Sequence, residues 1–465
     1  MKKVAPRSTA RRKTRSTRPK AEHAPQGLAA RDLAARLVAG VLIGRQPFEH
    51  VLADCLARPQ FTGLEPRDRA LARLVSATVL RRQGELEFVL NGFLERPLPA
   101  DKGRLWPILL TAAAQLVCLG MPPHAVVDIA VELTRRDRGA HRFSKLANAV
   151  LRRVGERGAA LLEGQDRLRL NIPDWLWQRW QAAYGSDAAR RIAEASLQEA
   201  ALDISLKPGT EAAARVWAER LGGRFLAIGS IRLPPQGRVE DLPGYADGAW
   251  WVQDAAAALV ARVAGDVVER SVADLCAAPG GKTAGLAAAG ARVTAVDVSG
   301  MRLSRLRANL ARLGLSAEII EADAASWSPG RTFDTVVLDA PCTGTGTIRR
   351  HPDILRLKKA EDVKRMAETQ RALLGHAATL VRPGGLLVYS TCSLEPEEGE
   401  MQIDGFLAAH AEFARVPIVA RDIGAEAEWI TPCGDIRTLP FHMRLEASEL
   451  SGLDGFYVAR LGRCG

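Results

Sequence analysis

No stretch of the chain reaches the roughly 18 uninterrupted apolar residues that a membrane-spanning helix requires, so no membrane partner is expected. A Cys-x-x-Cys pair is also missing: the seven cysteines are scattered at positions 55, 118, 276, 342, 392, 433 and 464, an odd total. This spacing argues against a zinc or other metal site and against a disulfide framework, and it suits a reducing cytoplasm. Acids are absent from Met1 to Lys20, where Lys2, Lys3, Arg7, Arg11, Arg12, Lys13, Arg15, Arg18 and Lys20 stand without a counter-charge. No apolar segment follows, so a secretory signal is not expected; a solvated tail or a basic arm lying on nucleic-acid phosphates is. Neither nucleotide-binding glycine motif is intact. Gly281-Lys282-Thr283 echoes a phosphate loop, but the first glycine of that motif is missing, which disfavours a nucleoside triphosphate.

At 465 residues the chain is too long for one compact core. Charged residues at 25% and hydrophobic ones at 47% describe a globular protein, and the net charge of +11 points to a polyanionic partner. Four segments are expected: a basic tail over 1–26, a helical domain over 27–155, a connecting module over 156–248 and an α/β domain over 249–465. In the second, Ala29, Leu33, Leu37 and Val41 recur at helical spacing, as do Leu71, Leu74, Val75 and Thr78. Turns at Glu65-Pro66, Arg96-Pro97-Leu98-Pro99 and Met121-Pro122-Pro123 divide the helices. Arg135, Arg136, Arg138, Arg142, Lys145, Arg152 and Arg153 form a cluster that either is a solvated face or meets RNA. The third segment opens on Asp174-Trp175-Leu176-Trp177, whose aromatics are expected to pack at a junction more than to stack on bases.

From Trp250 onward the rhythm is strand, glycine turn, helix, strand, which implies a parallel sheet with crossover helices. The strand Ser271–Leu275 runs into Cys276-Ala277-Ala278-Pro279-Gly280-Gly281-Lys282, where glycines admit a ligand to the backbone and a helix amino end favours negative charge. Asp297 ends the next strand at the offset of a ribose-binding acid, and Asp323 follows a third strand, placed to accept from an adenine amine. Together these describe a pocket for an adenosine-containing ligand without pyrophosphate, and S-adenosylmethionine fits. The fourth strand ends in Asp339-Ala340-Pro341-Cys342, and the strand Leu386–Tyr389 ends in Ser390-Thr391-Cys392-Ser393. A lone cysteine is ordinarily a small core residue, but two at strand ends beside such a pocket suit methylation of cytosine. Carbon 5 of cytosine is a poor nucleophile until a thiolate adds at carbon 6.

With Arg350-His351-Pro352-Asp353, Arg382-Pro383-Gly384-Gly385 and Asp454-Gly455-Phe456-Tyr457 added to these loops, the chain resembles the RNA cytosine-5 methyltransferases of the bacterial methyltransferase B and nucleolar protein 2 family. The leading helical region resembles the NusB type of RNA-binding domain, so the resemblance covers nearly everything after the basic tail. It implies an all-α NusB-like domain before a Rossmann-like S-adenosylmethionine-dependent methyltransferase domain, acting as a monomer on RNA, small-subunit ribosomal RNA first among the candidates. It also implies Cys392 as nucleophile and Cys342 as the cysteine that assists release. The cofactor would lie on Cys276 to Lys282, with Asp297 for ribose, Asp323 for adenine and Asp339 beside the methyl group. Many members have Asn where this chain has Gly399, which affects a loop contact. Three other readings stand beside this one: a DNA enzyme using the Pro-Cys thiol as nucleophile, a transfer-RNA enzyme of the same family, and a catalytically silent RNA-binding assembly factor.

Overall fold

The computed structural model describes Met1, residues 27–235 and residues 237–465. The basic arm expected on Met1 to Lys20 therefore falls, beyond Met1, outside the described residues.

The first unit is a bundle of helices at Leu28–Leu42, Phe48–Leu56, Pro66–Arg81, Gln83–Gly92, Leu105–Ala113, Pro123–Arg136 and Ser144–Arg157. Pro66 and Pro123 start their helices, where a missing N–H costs nothing. Leu33, Leu37 and Val41 are buried, as their spacing predicts, whereas Ala29 is exposed. In the third helix Val75 and Thr78 are buried as expected, but Leu74 is 40% exposed, and Ala72, Ser76 and Val79 also face inward. Leu80 and Arg81 are buried at its end, which turns the face toward the neighbouring segments.

A helix at Asp174–Ser196, kinked at Gly185, crosses to the rest of the chain. Trp177 and Trp180 on it are buried in a cluster with Ile348, Leu355 and Leu394, the packing role expected at a junction. Next comes a small antiparallel sheet of β1 (Leu202–Leu206), β2 (Arg224–Phe225), β3 (Ser230–Leu233) and β4 (Trp250–Val252), in the order β2-β3-β1-β4. Its last strand passes straight into Gln253 and Asp254, and Asp254 caps the next helix, Ala255–Val263, by accepting from the Ala256 N–H at 2.8 Å.

The large sheet holds β5 (Ser271–Leu275), β6 (Arg292–Asp297), β7 (Glu318–Glu321), β8 (Phe333–Asp339), β9 (Val381–Thr391), β10 (Phe413–Arg415), β11 (Ile436–Thr438) and β12 (Phe456–Arg463). Its order is β10-β12-β9-β8-β5-β6-β7, with β11 also pairing β12. The strands from β7 to β9 are parallel, and β12 returns antiparallel to β9. Successive residues serve opposite faces. Val272, Val337, Val388 and Val458 pack under the helix Ala255–Val263, whereas Ala273, Val336, Leu387 and Tyr457 pack under Ala360–Leu380. Order reverses between β5 and β8, so the crevice for a ligand opens at their carboxyl ends.

Candidate active site

The loop after β5 is built to bring backbone close to a ligand. Cys276 sits at a positive φ of 60°, the Ala277 N–H donates to the Val296 carbonyl at 3.0 Å, and Gly280 has φ 104°. A Cβ on Gly280 would also meet Leu306 Cγ at 2.8 Å, so both conformation and space require glycine. The helix Gly281–Ala288 then starts, and its first internal bond runs from the Ala284 N–H to the Gly280 carbonyl. The N–H groups of Gly281, Lys282 and Thr283 precede it and are available to a ligand.

This loop borders a cavity of about 470 Å³, within the range of small-molecule sites. Ala277, Pro279, Gly280, Gly281, Lys282 and Asp339 line one side, and the small sheet supplies Trp251 and Gln253 on the other. Lys282 Nζ lies 2.6 Å from Asp339 Oδ2 and 5.1 Å from the Phe456 ring. Burial works against the ammonium, but Asp339 first, then Cys392 and Asp274, outweigh it and raise the Lys282 pKa.

The other two expected acids lie differently. Asp297 is buried beneath the loop: Oδ2 accepts from the Ala278 N–H at 3.1 Å and Oδ1 from the Ser299 N–H at 3.0 Å. It shapes the loop, and it does not line the cavity. Asp323 is exposed, accepts from the Ala325 N–H at 2.9 Å, and also stands outside the lining. Asp274 drew no attention in the sequence, yet it is fully buried, accepts from Thr283 Oγ1 at 2.6 Å and is pushed up to about 7 by that burial.

The two expected cysteines meet. Strands β8 and β9 pair in parallel through Asp339 and Ser390, and the Ala340 N–H donates to the Ser390 carbonyl at 2.9 Å. Beyond that pairing, Cys342 Sγ and Cys392 Sγ lie 3.4 Å apart. The Cys342 pKa is raised well above its ordinary value, first by its hydrogen bond to Cys392 and then by burial. Cys276 is pushed up to about 12 by burial and by the Asp339 and Asp297 charges, which disfavours its thiolate.

Glu398 is a further group at this site, one that no sequence motif marks. This fully buried carboxylate accepts from the Thr343 N–H at 2.9 Å, from the Thr343 and Ser393 hydroxyls, and from Gln370 Nε2 at 3.1 Å. Thr343 and Ser393 are the residues that follow the two cysteines. The only available signal was an acid six residues after Cys392 amid Ser and Thr.

A three-two-one-four-five parallel order, closed by an antiparallel strand and carrying a glycine loop at the switch point, defines a Rossmann-like S-adenosylmethionine-dependent methyltransferase fold, here behind an all-α domain. Residues 265–462 match the model of the 16S rRNA methyltransferase RsmB/F family, and residues 28–156 match that of the NusB family. The Sodalis glossinidius protein named ribosomal RNA small subunit methyltransferase B is 36% identical over 399 residues, covering 82% of this chain and 90% of its own. The Xylella fastidiosa (Temecula1) protein of the same name is 35% identical over 453 residues, covering 94% and 98%. The chain belongs to the RsmB/F methyltransferase family. A crystal structure of PH0851 shares the fold with a TM-score of 0.69 at 22% identity, covering 94% of this chain and 99% of its own.

Proposed function

We propose that this protein transfers a methyl group from S-adenosylmethionine to carbon 5 of a cytosine in small-subunit ribosomal RNA, through a covalent bond between Cys392 and carbon 6. The observation that carries this reading is the pair of thiols 3.4 Å apart at the ends of adjacent strands, beside the Lys282–Asp339 ion pair. The glycine loop, the free N–H groups of its helix and a cavity of suitable size fit the cofactor, which when bound supplies an electrophilic methyl group on sulfur.

The chain's own groups divide the work. A sulfur at position 392 that ionises finds one hydrogen-bond donor in the Cys342 thiol and a nearby positive charge in Lys282. Its addition to carbon 6 forms the sulfur–carbon bond and moves electron density to carbon 5, which takes the methyl group. The carbon 5 proton then passes to water, its electron pair restores the carbon 5–carbon 6 double bond, the sulfur–carbon bond breaks, and the thiolate returns. Cys342, next to Cys392, is placed to assist that last elimination.

Single substitutions separate the roles. Cys392→Ala is expected to bind RNA and cofactor yet form no adduct, whereas Cys342→Ala is expected to form the bond, transfer the methyl group and fail to release. The second variant accumulates as a methyl-labelled protein–RNA complex stable in denaturing gels. Trapped RNA with Cys392→Ala and none with Cys342→Ala would reverse the assignment, as the DNA-type reading requires.

A further inference from the structure

A further cavity, of about 310 Å³, lies where the crossing helix Asp174–Ser196 meets the loop between β11 and β12. Three arginines line it: Arg191 from the helix, Arg349 from the segment leaving the Cys342 loop, and Arg444 from the loop between the strands. Phe441 forms an aromatic wall, and the Arg191 guanidinium lies 3.7 Å from the centre of its ring. Arg349 is 4% exposed and donates to the Ser451 carbonyl at 2.7 Å. Gly452 beside it has φ 93° and no room for a Cβ, which would meet Arg349 Nη1 at 2.3 Å and the Pro440 oxygen at 2.7 Å.

A buried guanidinium is ordinarily held by a carboxylate, and among the described residues Arg349 has none. The acids close by serve its neighbours: Arg350 binds Asp254 at 2.6 Å and Asp454 at 3.0 Å, and Arg232 binds Asp203 at 2.7 Å. Arg349 Nε has no hydrogen-bond partner among the described residues, and burial lowers the Arg349 pKa more than Asp454 raises it. Arg191 Nε is unpartnered as well, and the ion pair of that side chain, to exposed Asp187, is 4.0 Å long. Arg444 is exposed and has no ion pair among the described residues. The acids on the lining, Glu194 and Glu446, are exposed and pair with none of the three arginines.

Three such cations around an aromatic face suit a nucleotide. Phosphate oxygens accept from guanidinium N–H groups, and a base stacks on an arginine that already lies on a ring. The position also suits a strand held for methylation. The loop from Cys342 passes through Gly346, whose N–H donates to the Cys392 carbonyl, before it reaches Arg349. Ser451 and Gly452 lead on to Gly455, whose N–H donates to the Gly346 carbonyl. Both walls of the cavity therefore run into the loops that carry the two thiols.

We propose that this cavity is a second RNA subsite, which takes the phosphate and base of one nucleotide other than the target cytosine. The inference rests on the methyltransferase reading and adds to it an anchor away from the chemistry, shared by the connecting helix and the methyltransferase domain.

The test uses the full chain and a synthetic small-subunit RNA fragment that the unaltered protein methylates, with one phosphate at a time replaced by an uncharged methylphosphonate. Affinity of the unaltered protein is expected to fall about tenfold at one linkage besides those flanking the target. The double variant Arg191→Gln, Arg444→Gln, neither residue fully buried, is expected to bind the unmodified RNA about tenfold more weakly. In that variant the same replacement should cost less than about threefold, because the contact it removes is already lost. S-adenosylhomocysteine binding should not change. An RNA affinity equal to that of the unaltered protein would overturn the inference. So would a weakened variant that stays as sensitive as before at every linkage, since the arginines would then act on something other than a phosphate. Failure of the unaltered protein to methylate any small-subunit RNA would overturn the methyltransferase reading, and this subsite with it.

Discussion

Glu398 shows what a buried carboxylate can do without touching substrate. It satisfies the N–H and hydroxyl of Thr343 and the hydroxyl of Ser393, so the residue after each cysteine is held by the same two oxygens. Its own backbone carbonyl accepts from Tyr389 and Thr391, which ties the clamp to the body of β9. Removing the carboxylate would leave several buried donors without partners, at about 1–3 kcal/mol each. Glu398→Ala is therefore expected to lower kcat for both adduct formation and release, with cofactor affinity unchanged. Glu398→Gln should recover most of the loss, because its oxygen can still accept from Thr343 while its NH₂ meets hydroxyls able to accept. Diamide-driven bonding of Cys342 to Cys392, read as a mass loss on intact protein, reports the spacing directly and should slow in Glu398→Ala. Wild-type rates of both turnover and thiol pairing in Glu398→Ala would show that the clamp does not set the geometry.

Among the elements, the strands of the large sheet were the legible part. Apolar runs such as Val336–Leu338 and Leu386–Tyr389 end in glycine, proline and polar residues, and a parallel sheet buried on both faces produces that pattern. The bulge at Arg382–Gly385 was legible only as a turn; in the structure it is an irregularity within β9, opposite Asp334. The small sheet was far less legible, because strands of two to five residues leave too little periodicity to read. Glu398 was invisible for a different reason: it acts on a partner distant in sequence, Thr343. The motif Asp454-Gly455 acquires a structural meaning as well. The Gly455 N–H donates to the Gly346 carbonyl at 2.8 Å, and a Cβ on Gly346 would come within 1.9 Å of the Gly455 oxygen. The Gly346 N–H in turn donates to the Cys392 carbonyl at 3.0 Å, so this crossing of two loops supports the strand end that carries Cys392. Gly346→Ala is expected to cost about 1–3 kcal/mol in chemical denaturation, since backbone must move. Gly375, inside the helix Ala360–Leu380 with nothing near its Cβ position, is the control: Gly375→Ala should stabilise by about 0.5–1 kcal/mol. A neutral Gly346→Ala would mean that the crossing is looser than these distances state.

Across the whole molecule, the helical bundle touches the segment that follows the Cys342 loop. Arg350 links three segments, binding Asp254 at 2.6 Å and Asp454 at 3.0 Å, and donating to the Ala201 carbonyl. Just beyond it, the segment leaving the Cys342 loop carries the bundle. The Phe48 N–H donates to Asp353 Oδ2 at 3.0 Å, Arg81 reaches the Arg349 carbonyl at 2.8 Å, and Arg45 reaches the Arg356 and Leu357 carbonyls. Arg356 answers from the other side, donating to the Leu80 and Asn171 carbonyls at 3.0 Å each, and burial brings its pKa down to about 10. Arg135, Arg136, Arg138, Arg142, Lys145, Arg152 and Arg153 of the bundle are exposed, with Arg135 and Arg136 beside Glu132 and Arg142 beside Asp101. Docking and buttressing make different kinetic predictions. If the bundle only gathers RNA, weakening its seat should raise KM for RNA and leave kcat alone. If it steadies the loop after Cys342, the loss should fall on kcat at saturating RNA. Arg356→Met removes two hydrogen bonds at the seat, away from the exposed basic face, and it tests the second role. It is expected to lower kcat about tenfold while KM for RNA stays within about twofold, and S-adenosylhomocysteine binding should not change. Single-turnover adduct formation should slow by the same factor, because the affected step precedes release. A raised KM with unaltered kcat would assign the bundle to RNA capture alone.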